Sequence, residues 1–489
     1  MKHLEFTVKG LFAVALLFVA QTMFAQSLRT GYFMDGNLFR YRINPAFMGE
    51  RSYFAIPLLG GVSVTTEGNI GFSDIFHESP LGNNDYVFFT HNSVDTKDFL
   101  GGLNTNNDIH LNTDLTLFSA GFRARGGYMT LDLTMRSRVA LNIPYDLFRF
   151  MKVANPMLDD LINGRIPDKD MGPGTFNAGN LNFNTRNYLD FSAGYAFAAN
   201  EHLNLGFRAK VIAPIGYADV GFDEMNINYD NIDRWNIQAH GAAKAAMGGQ
   251  FKYDDRMING VRENIVMGHT GYEFDIYGFG LGLDLGFTYD LSDVLLDGLK
   301  VSGSLNDLGF IYWDGVLNAE MAGETYSFEG FNRLGIITGT ESIDDQINDL
   351  TKDLGDFLAM REGEEESFTS GLGAKLNIGA EYEMPFYKKL SVGALYTHCF
   401  DDFYSYDQTS LVLTVSPLAV CDFALSSTFA DYGTRFGAMA NFHFTGFSFF
   451  VGTDCMLSDL SDSKYPFPND NLNANLSLGV NISFAKAKK

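Results

Sequence analysis

The sequence predicts an all-β protein: a transmembrane antiparallel barrel of about fourteen strands with an N-terminal lumenal plug and long extracellular loops carrying short helices. Three observations predict it. Apolar and polar residues alternate one by one over long segments, the period of a strand with two unlike faces. After residue 25 no stretch approaches the ~18 apolar residues of a membrane helix, although the N-terminus carries an export leader. Short and long connections alternate along the chain, as in membrane barrels.

Residues 1–25 read as a signal peptide, with Lys2 and Lys9 ahead of the apolar run that ends at Ala25. The run is short for the alternative, a membrane anchor. Residues 26–61 read as a plug, mixed polar and aromatic and without strand alternation, lying in the lumen rather than trailing as a tail. Residues 62–484 form the barrel and 485–489 a periplasmic tail. The segment 54–61, "FAIPLLGG", reads either as an extension of the first strand or as part of the lumenal segment.

The strands fall near 62–72, 113–124, 128–142, 188–199, 203–216, 274–290, 299–313, 372–385, 389–400, 408–416, 419–430, 434–445, 447–457 and 471–484. Most hold nine or more residues, long for a soluble strand but right for a tilted bilayer crossing. In "MTLDLTMRSRVALNI" Met129, Leu131, Leu133, Met135, Val139 and Leu141 share one face, against Asp132, Arg136 and Arg138. The polar faces of other strands carry Asp190, Arg208, Lys210, Asp284, Lys375, Glu381, Glu383 and Arg435. A soluble sandwich would bury the apolar face instead. Charges of both signs opposite long Leu, Phe, Val and Met faces favour a barrel with these groups in the lumen.

Tight turns follow the even-numbered strands, and the longest connections, 73–112, 143–187, 217–273 and 314–371, follow odd ones. All tight turns then share the periplasmic end. If Thr445-Gly446 is a two-residue turn, Phe442 faces Phe449 and His443 faces Ser448. In the last strand, Leu472 through Phe484 face lipid and Asn473 through Ser483 the lumen. Leu478→Arg should therefore be costly and Ser477→Arg far milder.

Two loop segments have helical spacing. In 342–360, Ile343, Ile347, Leu350, Leu354 and Phe357 form an apolar stripe, either a wall for a ligand at the barrel mouth or a face packed on other loops. The segment 144–164 has the same two readings. The "EGEEE" run at 362–366 reads as a solvated loop.

The net charge of −24 disfavours nucleic acid as a partner. Three cysteines, Cys399, Cys421 and Cys455, have no metal-ligand spacing. His443 and Ser448 suggest a nucleophile and base, but Asp454 lies roughly 20 Å along the strand from Ser448 at about 3.3 Å per residue, too far to orient that histidine. No hydrolase, zinc or phosphate-loop motif is present. The chain is read as no enzyme, with no cofactor and no metal site.

"GFGLGLDLGFTYDL" with "LKVSGSLNDLGFIYW" (278–313) resembles a strand–turn–strand unit of FadL-like barrels and of the related PorV-type proteins of Bacteroidota, as does "LNLGFRAKVIAPIGYA" (203–218). "INPAFMGER" resembles the segment near the start of such barrels, with Asn44, Pro45 and Ala46 in its motif. Together with the opening "SLRTGYFMDG", the chain is most similar to a Bacteroidota family of such proteins whose domain is of unknown function. The FadL resemblance implies fourteen strands, a plug over residues 26–52 and passage of small hydrophobic molecules through the outer membrane, with membrane lipid around the wall. The PorV resemblance implies instead a scaffold or accessory subunit of a surface or secretion complex.

Overall fold

In the computed structural model the alternating segments close into a ring. The structure describes residues 28–49, 51–80, 86–91, 93–152, 174–231, 234–258, 260–271, 273–321, 325–328, 357, 359–402, 404–456 and 473–484. Residues 1–25, expected as a leader, residues 485–489, expected as a tail, Leu472 and most of 342–360 lie outside them.

The strands are β1 (Tyr53–Ala55), β2 (Val62–Gly68), β3 (Phe76–Glu78), β4 (Tyr86–Phe88), β5 (Asn106–Ala124), β6 (Gly127–Pro144), β7 (Gly174–Asn177) and β8 (Leu181–Ala198). There follow β9 (Leu203–Asn231), β10 (Arg234–Met247), β11 (Gln250–Ile258), β12 (Val261–Thr270), β13 (Gly278–Asp290), β14 (Leu299–Met321), β15 (Thr325–Phe328), β16 (Met360–Gly371) and β17 (Ala374–Glu383). The last are β18 (Leu390–Phe400), β19 (Tyr406–Leu418), β20 (Cys421–Ala430), β21 (Gly433–His443), β22 (Ser448–Thr453) and β23 (Ala474–Ser483).

Fourteen antiparallel columns make the wall, in chain order, and β23 closes it by pairing with β1 and β2. Tyr53 and Phe54 also pair with β5, so 54–61 begins as an extension of the first strand, and the wall starts at Tyr53 rather than at residue 62. The hairpin at 444–447 has the expected register, Phe442 opposite Phe449 and His443 opposite Ser448. The connections 125–126, 199–202, 291–298, 384–389, 419–420 and 444–447 share one end of the ring.

The wall is inverted relative to a soluble protein. On β23 Leu476, Leu478, Val480 and Ile482 are exposed, whereas Ser477, Asn481 and Ser483 are almost fully buried. Outward side chains on β13 run from Phe279 to Tyr289. At about 3.3 Å per residue and a tilt of about 40°, they cover roughly 25 Å of depth, the height of a membrane barrel's apolar band. Leu478→Arg is expected to cost about 2–4 kcal/mol, read as a lower urea midpoint of the protein folded in lipid vesicles. Ser477→Arg is not the mild control that alternation implies, because Ser477 is only 1% exposed and the lumen beside it is filled.

Two of the connections expected as loops are largely sheet over their described residues. β9 continues to Asn231 and pairs with β10 beyond the level at which it pairs with β13. β14 continues to Met321 against β16. The β11–β12 hairpin joins this sheet through Ile265 and Val266 on β16. The "EGEEE" run is therefore strand, and residue 360 begins β16 rather than ending a helix. Above the membrane band neither face of β16 needs to be apolar, so no alternation marked it. Residues 145–152 are helical, as the start of 144–164 predicts.

Asp307 supplies the main irregularity. Its φ of 55° is left-handed, and the β13–β14 register shifts between Leu283 and Leu285. Asn306 and Asp307 both turn inward. Before this bulge even-numbered residues of β14 face the lumen, and after it odd-numbered ones do, as an inserted residue requires.

Candidate functional site: the filled lumen

The N-terminal segment 28–48 packs against inward residues of most of the ring. The Arg29 and Thr30 amides donate to Asp454, at 3.0 and 2.8 Å, just past the end of β22. The turn at Asp35-Gly36 lies over Asp422 and His443, near the short-turn end. The chain then returns to mid-depth, where Tyr41 and Arg42 each reach Asp132 at 2.7 Å. It leaves past Tyr128, whose hydroxyl donates to the Arg51 carbonyl at 2.8 Å.

Asn44, Pro45 and Ala46 sit in a notch made by two glycines. Gly206 and Gly286 are opposite one another on β9 and β13. A Cβ on Gly206 would lie 2.1 Å from the Pro45 carbonyl oxygen, and one on Gly286 2.2 Å from Asn44 Oδ1. Asn44 Nδ2 donates to the Phe287 carbonyl at 3.1 Å, and its Oδ1 accepts from the Ala46 amide at 3.0 Å.

Inward charges at mid-depth form a continuous alternating chain. Arg42 meets Asp132 at 2.7 Å, Asp132 meets Arg208 at 3.1 Å, and Arg208 meets Asp284 at 3.0 Å. Lys210 then bridges Asp284, at 2.7 Å, and Asp307. Arg136 joins Asp307, at 3.2 Å, to Asp190, at 2.7 Å. Four cations and four carboxylates thus neutralise one another. The Asp307 amide donates to Asp284 Oδ1 at 2.7 Å, so the bulge serves this network. Taking such groups from water is repaid only when charges pair and lone pairs are bonded.

The other predicted charges are also placed. Arg138 pairs with Asp114 at 2.7 Å, and Arg435 with Glu67 at 2.5 Å. Glu381 bonds Ser391, and Glu383 pairs with Lys300 at the half-exposed rim. Lys375 lines a cavity in the half of the lumen away from the short turns. His443 engages Asp422 at 2.9 Å rather than Asp454, and among the described residues its Nδ1 and the Ser448 hydroxyl have no hydrogen-bond partner.

At the end away from the short turns the lumen turns apolar. Beyond the bulge, Ile311 and Trp313 point inward and cluster with Tyr188, Ile212, Tyr217 and Leu372. Facing them, the His110 and Tyr404 rings stack at 3.9 Å, and Tyr404 stacks on Tyr432 at 5.5 Å. Phe357 is buried higher up, among Phe176, Ile227, Ile237 and Met321. Ile343, Ile347, Leu350 and Leu354 lie outside the described residues. Among the described residues no His, Cys, Asp and Glu cluster has metal-binding geometry.

Over residues 45–454 the chain matches the family of unknown function DUF5723. It belongs to that family. No curated protein matches it. Among solved structures, the toluene transporter TbuX of Ralstonia pickettii aligns at 10% identity and TM-score 0.41, over 92% of this chain and 94% of that one. The toluene transporter TodX of Pseudomonas putida aligns at 10% and 0.39, over 94% and 95%. A FadL homologue of Pseudomonas aeruginosa aligns at 10% and 0.37, over 95% and 100%.

Several residues that make the DUF5723 lumen escaped the sequence reading. Asp307 broke the expected parity. Arg186, which pairs with Asp401 at 2.7 Å, fell in a segment taken for loop. Arg42 fell in a segment without periodicity. The excess of arginine over lysine in "RTGYFMDGNLFRYR" was the available signal, since guanidinium suits buried pairs.

Proposed function

We propose that the protein works in the outer membrane as a barrel that binds or passes small hydrophobic molecules, with residues 28–52 as its plug. The observation that carries this reading is the inward apolar lining at the extracellular end, where Tyr188, Ile212, Ile311, Trp313 and Leu372 meet above a charged, closed middle. These side chains are buried against one another, so an apolar solute from outside would part them before it meets the ion pairs below. Onward passage needs the plug to shift. The measurement is uptake of the fluorescent hydrophobic probe N-phenyl-1-naphthylamine by intact cells. Cells with the protein in their outer membrane are expected to take it up faster than cells without it. Equal rates overturn the reading.

A second reading, a scaffold for a surface or secretion complex, is favoured by the extracellular sheet. β16 is largely exposed along both faces, and among the described residues β11 pairs only with β12. An open strand edge invites pairing with another chain. Deleting 250–270 would then remove a co-purifying partner and leave probe uptake unchanged.

A further inference from the structure

Near the short-turn end, four inward side chains lie on four successive columns of the wall and take no part in the charge chain. They are Asp422 on β20, His443 on β21, Ser448 on β22 and Asn481 on β23, and none is more than 6% exposed. His443 stands directly opposite Ser448, and Ser448 directly opposite Asn481. Side chains so placed have Cβ atoms about 4.5–5.5 Å apart, which puts their polar atoms within reach of one another. Asp422 accepts from His443 Nε2 at 2.9 Å and from Asn441 Nδ2 at 3.2 Å. It therefore orients the histidine, the role that Asp454 is too distant to fill.

Among the described residues the other polar atoms of this row have no hydrogen-bond partner: His443 Nδ1, the Ser448 hydroxyl, and both ends of the Asn481 amide. Buried polar groups left unpaired are costly and call for a reason. Each of the first three residues, and the amide nitrogen of the fourth, suits one part of an acyl transfer. With its Nε2 proton given to Asp422, His443 keeps a lone pair on Nδ1, as a general base needs. Ser448 Oγ is the nucleophile beside it, and Asn481 Nδ2 is a spare donor on the far side of the serine. We propose that Asp422, His443, Ser448 and Asn481 form a serine esterase site for small carboxylic esters, masked until the plug moves. Ser448 Oγ attacks the ester carbonyl while its proton passes to His443 Nδ1, and Asn481 Nδ2 donates to the oxyanion. Collapse expels the alcohol, which takes the proton back from His443. Water, activated by the same nitrogen, then releases the acid and restores Ser448.

The mask is the N-terminal segment, so the proposal rests on residues 28–52 being a movable plug. A Cβ on Gly36 would lie 2.0 Å from Asp422 Oδ2 and 2.8 Å from His443 Nε2, and no ester fits between them. The test uses the full chain in detergent, with p-nitrophenyl acetate as substrate and diisopropyl fluorophosphate as label. Gly286→Val, which crowds the Asn44-Pro45 turn, is expected to hydrolyse the ester faster than the wild type and to carry the label on Ser448, located by peptide mass spectrometry. Deletion of 28–40 is a second way to lift the mask. Within Gly286→Val, adding Ser448→Ala is expected to abolish both signals. Adding His443→Gln keeps the hydroxyl but slows hydrolysis by about 10²–10⁴-fold, and Asn481→Ala lowers kcat by about 10²–10³-fold. Ser416→Ala, off the row, leaves both signals unchanged. Conductance reports whether the plug has moved and the label reports the hydroxyl, so the two readings fail separately. Absence of a Ser448 adduct from the wild type and from both unmasked variants overturns the proposal. So does hydrolysis that survives Ser448→Ala or is unchanged by His443→Gln.

Discussion

Asp132→Ala is expected to destabilise the folded barrel by about 3–5 kcal/mol, the cost of stripping one partner from a buried ion pair. Asp132 is fully buried and accepts from Arg42, Arg208 and Tyr41. Its loss leaves two guanidinium groups facing each other with Asp284 as the nearest remaining carboxylate. The alternating order of the chain gives a sharper prediction. Arg42 and Asp132 form one end of it, so removing both leaves three cations and three carboxylates still in alternation. The double variant Arg42→Ala/Asp132→Ala should therefore be more stable than Asp132→Ala alone. Urea titration of the variants in lipid vesicles, followed by the heat-dependent mobility shift, measures both. Additive losses would show that the charges act independently and that the chain is not a unit.

Gly286→Val should expel the Asn44-Pro45 turn from its notch. Even a Cβ at this position lies 2.2 Å from Asn44 Oδ1 and 2.8 Å from Pro45 Cδ; the proline ring is rigid and the Asn44 amide is held by bonds to Phe287 and Ala46. Overpacking of this kind typically costs about 1–3 kcal/mol. Here the cheaper response is for the segment to leave, because its route runs along the lumen and not through the hydrogen-bonded wall. Single-channel recording in planar bilayers is expected to show larger and more frequent openings for Gly286→Val than for the wild type. Phe287→Leu, one residue along and facing lipid, should conduct like the wild type. Unchanged conductance in Gly286→Val would mean that residues 28–52 do not close the pore.

The wall was legible because a membrane barrel writes its two faces into the sequence. "NLSLGVNISF" separates Leu, Val, Ile and Phe from Asn and Ser at every step, and β23 places them accordingly. Legibility stopped where that constraint stops. β11 and β16 are largely exposed on both faces, so the period vanishes there. The lumenal charges were legible as inward-facing from parity alone, but not who pairs with whom, since Arg136 meets Asp307 171 residues away. Asp307 itself was hidden because its left-handed backbone turns two successive residues inward. The glycine notch was hidden too. Gly206 and Gly286 look like ordinary strand glycines until Pro45 is placed over them.

The contact between Thr30 and Asp454 has a consequence for how the molecule is made. These residues are 424 positions apart, so the first part of the described chain to be synthesised has its seat built nearly last. Contacts of such sequence separation cannot guide early folding, because the loop-closure entropy comes due before they repay it. The segment's other anchors at that end, Tyr406 for Arg29 and Ser426 for Thr30, are also late, on β19 and β20. The ring must therefore assemble around a segment still waiting for its hook, or admit it afterwards through the short-turn end. A chain arrested before residue 406 would lack every one of these anchors, and assembly of the wall and filling of the lumen become separable events in time.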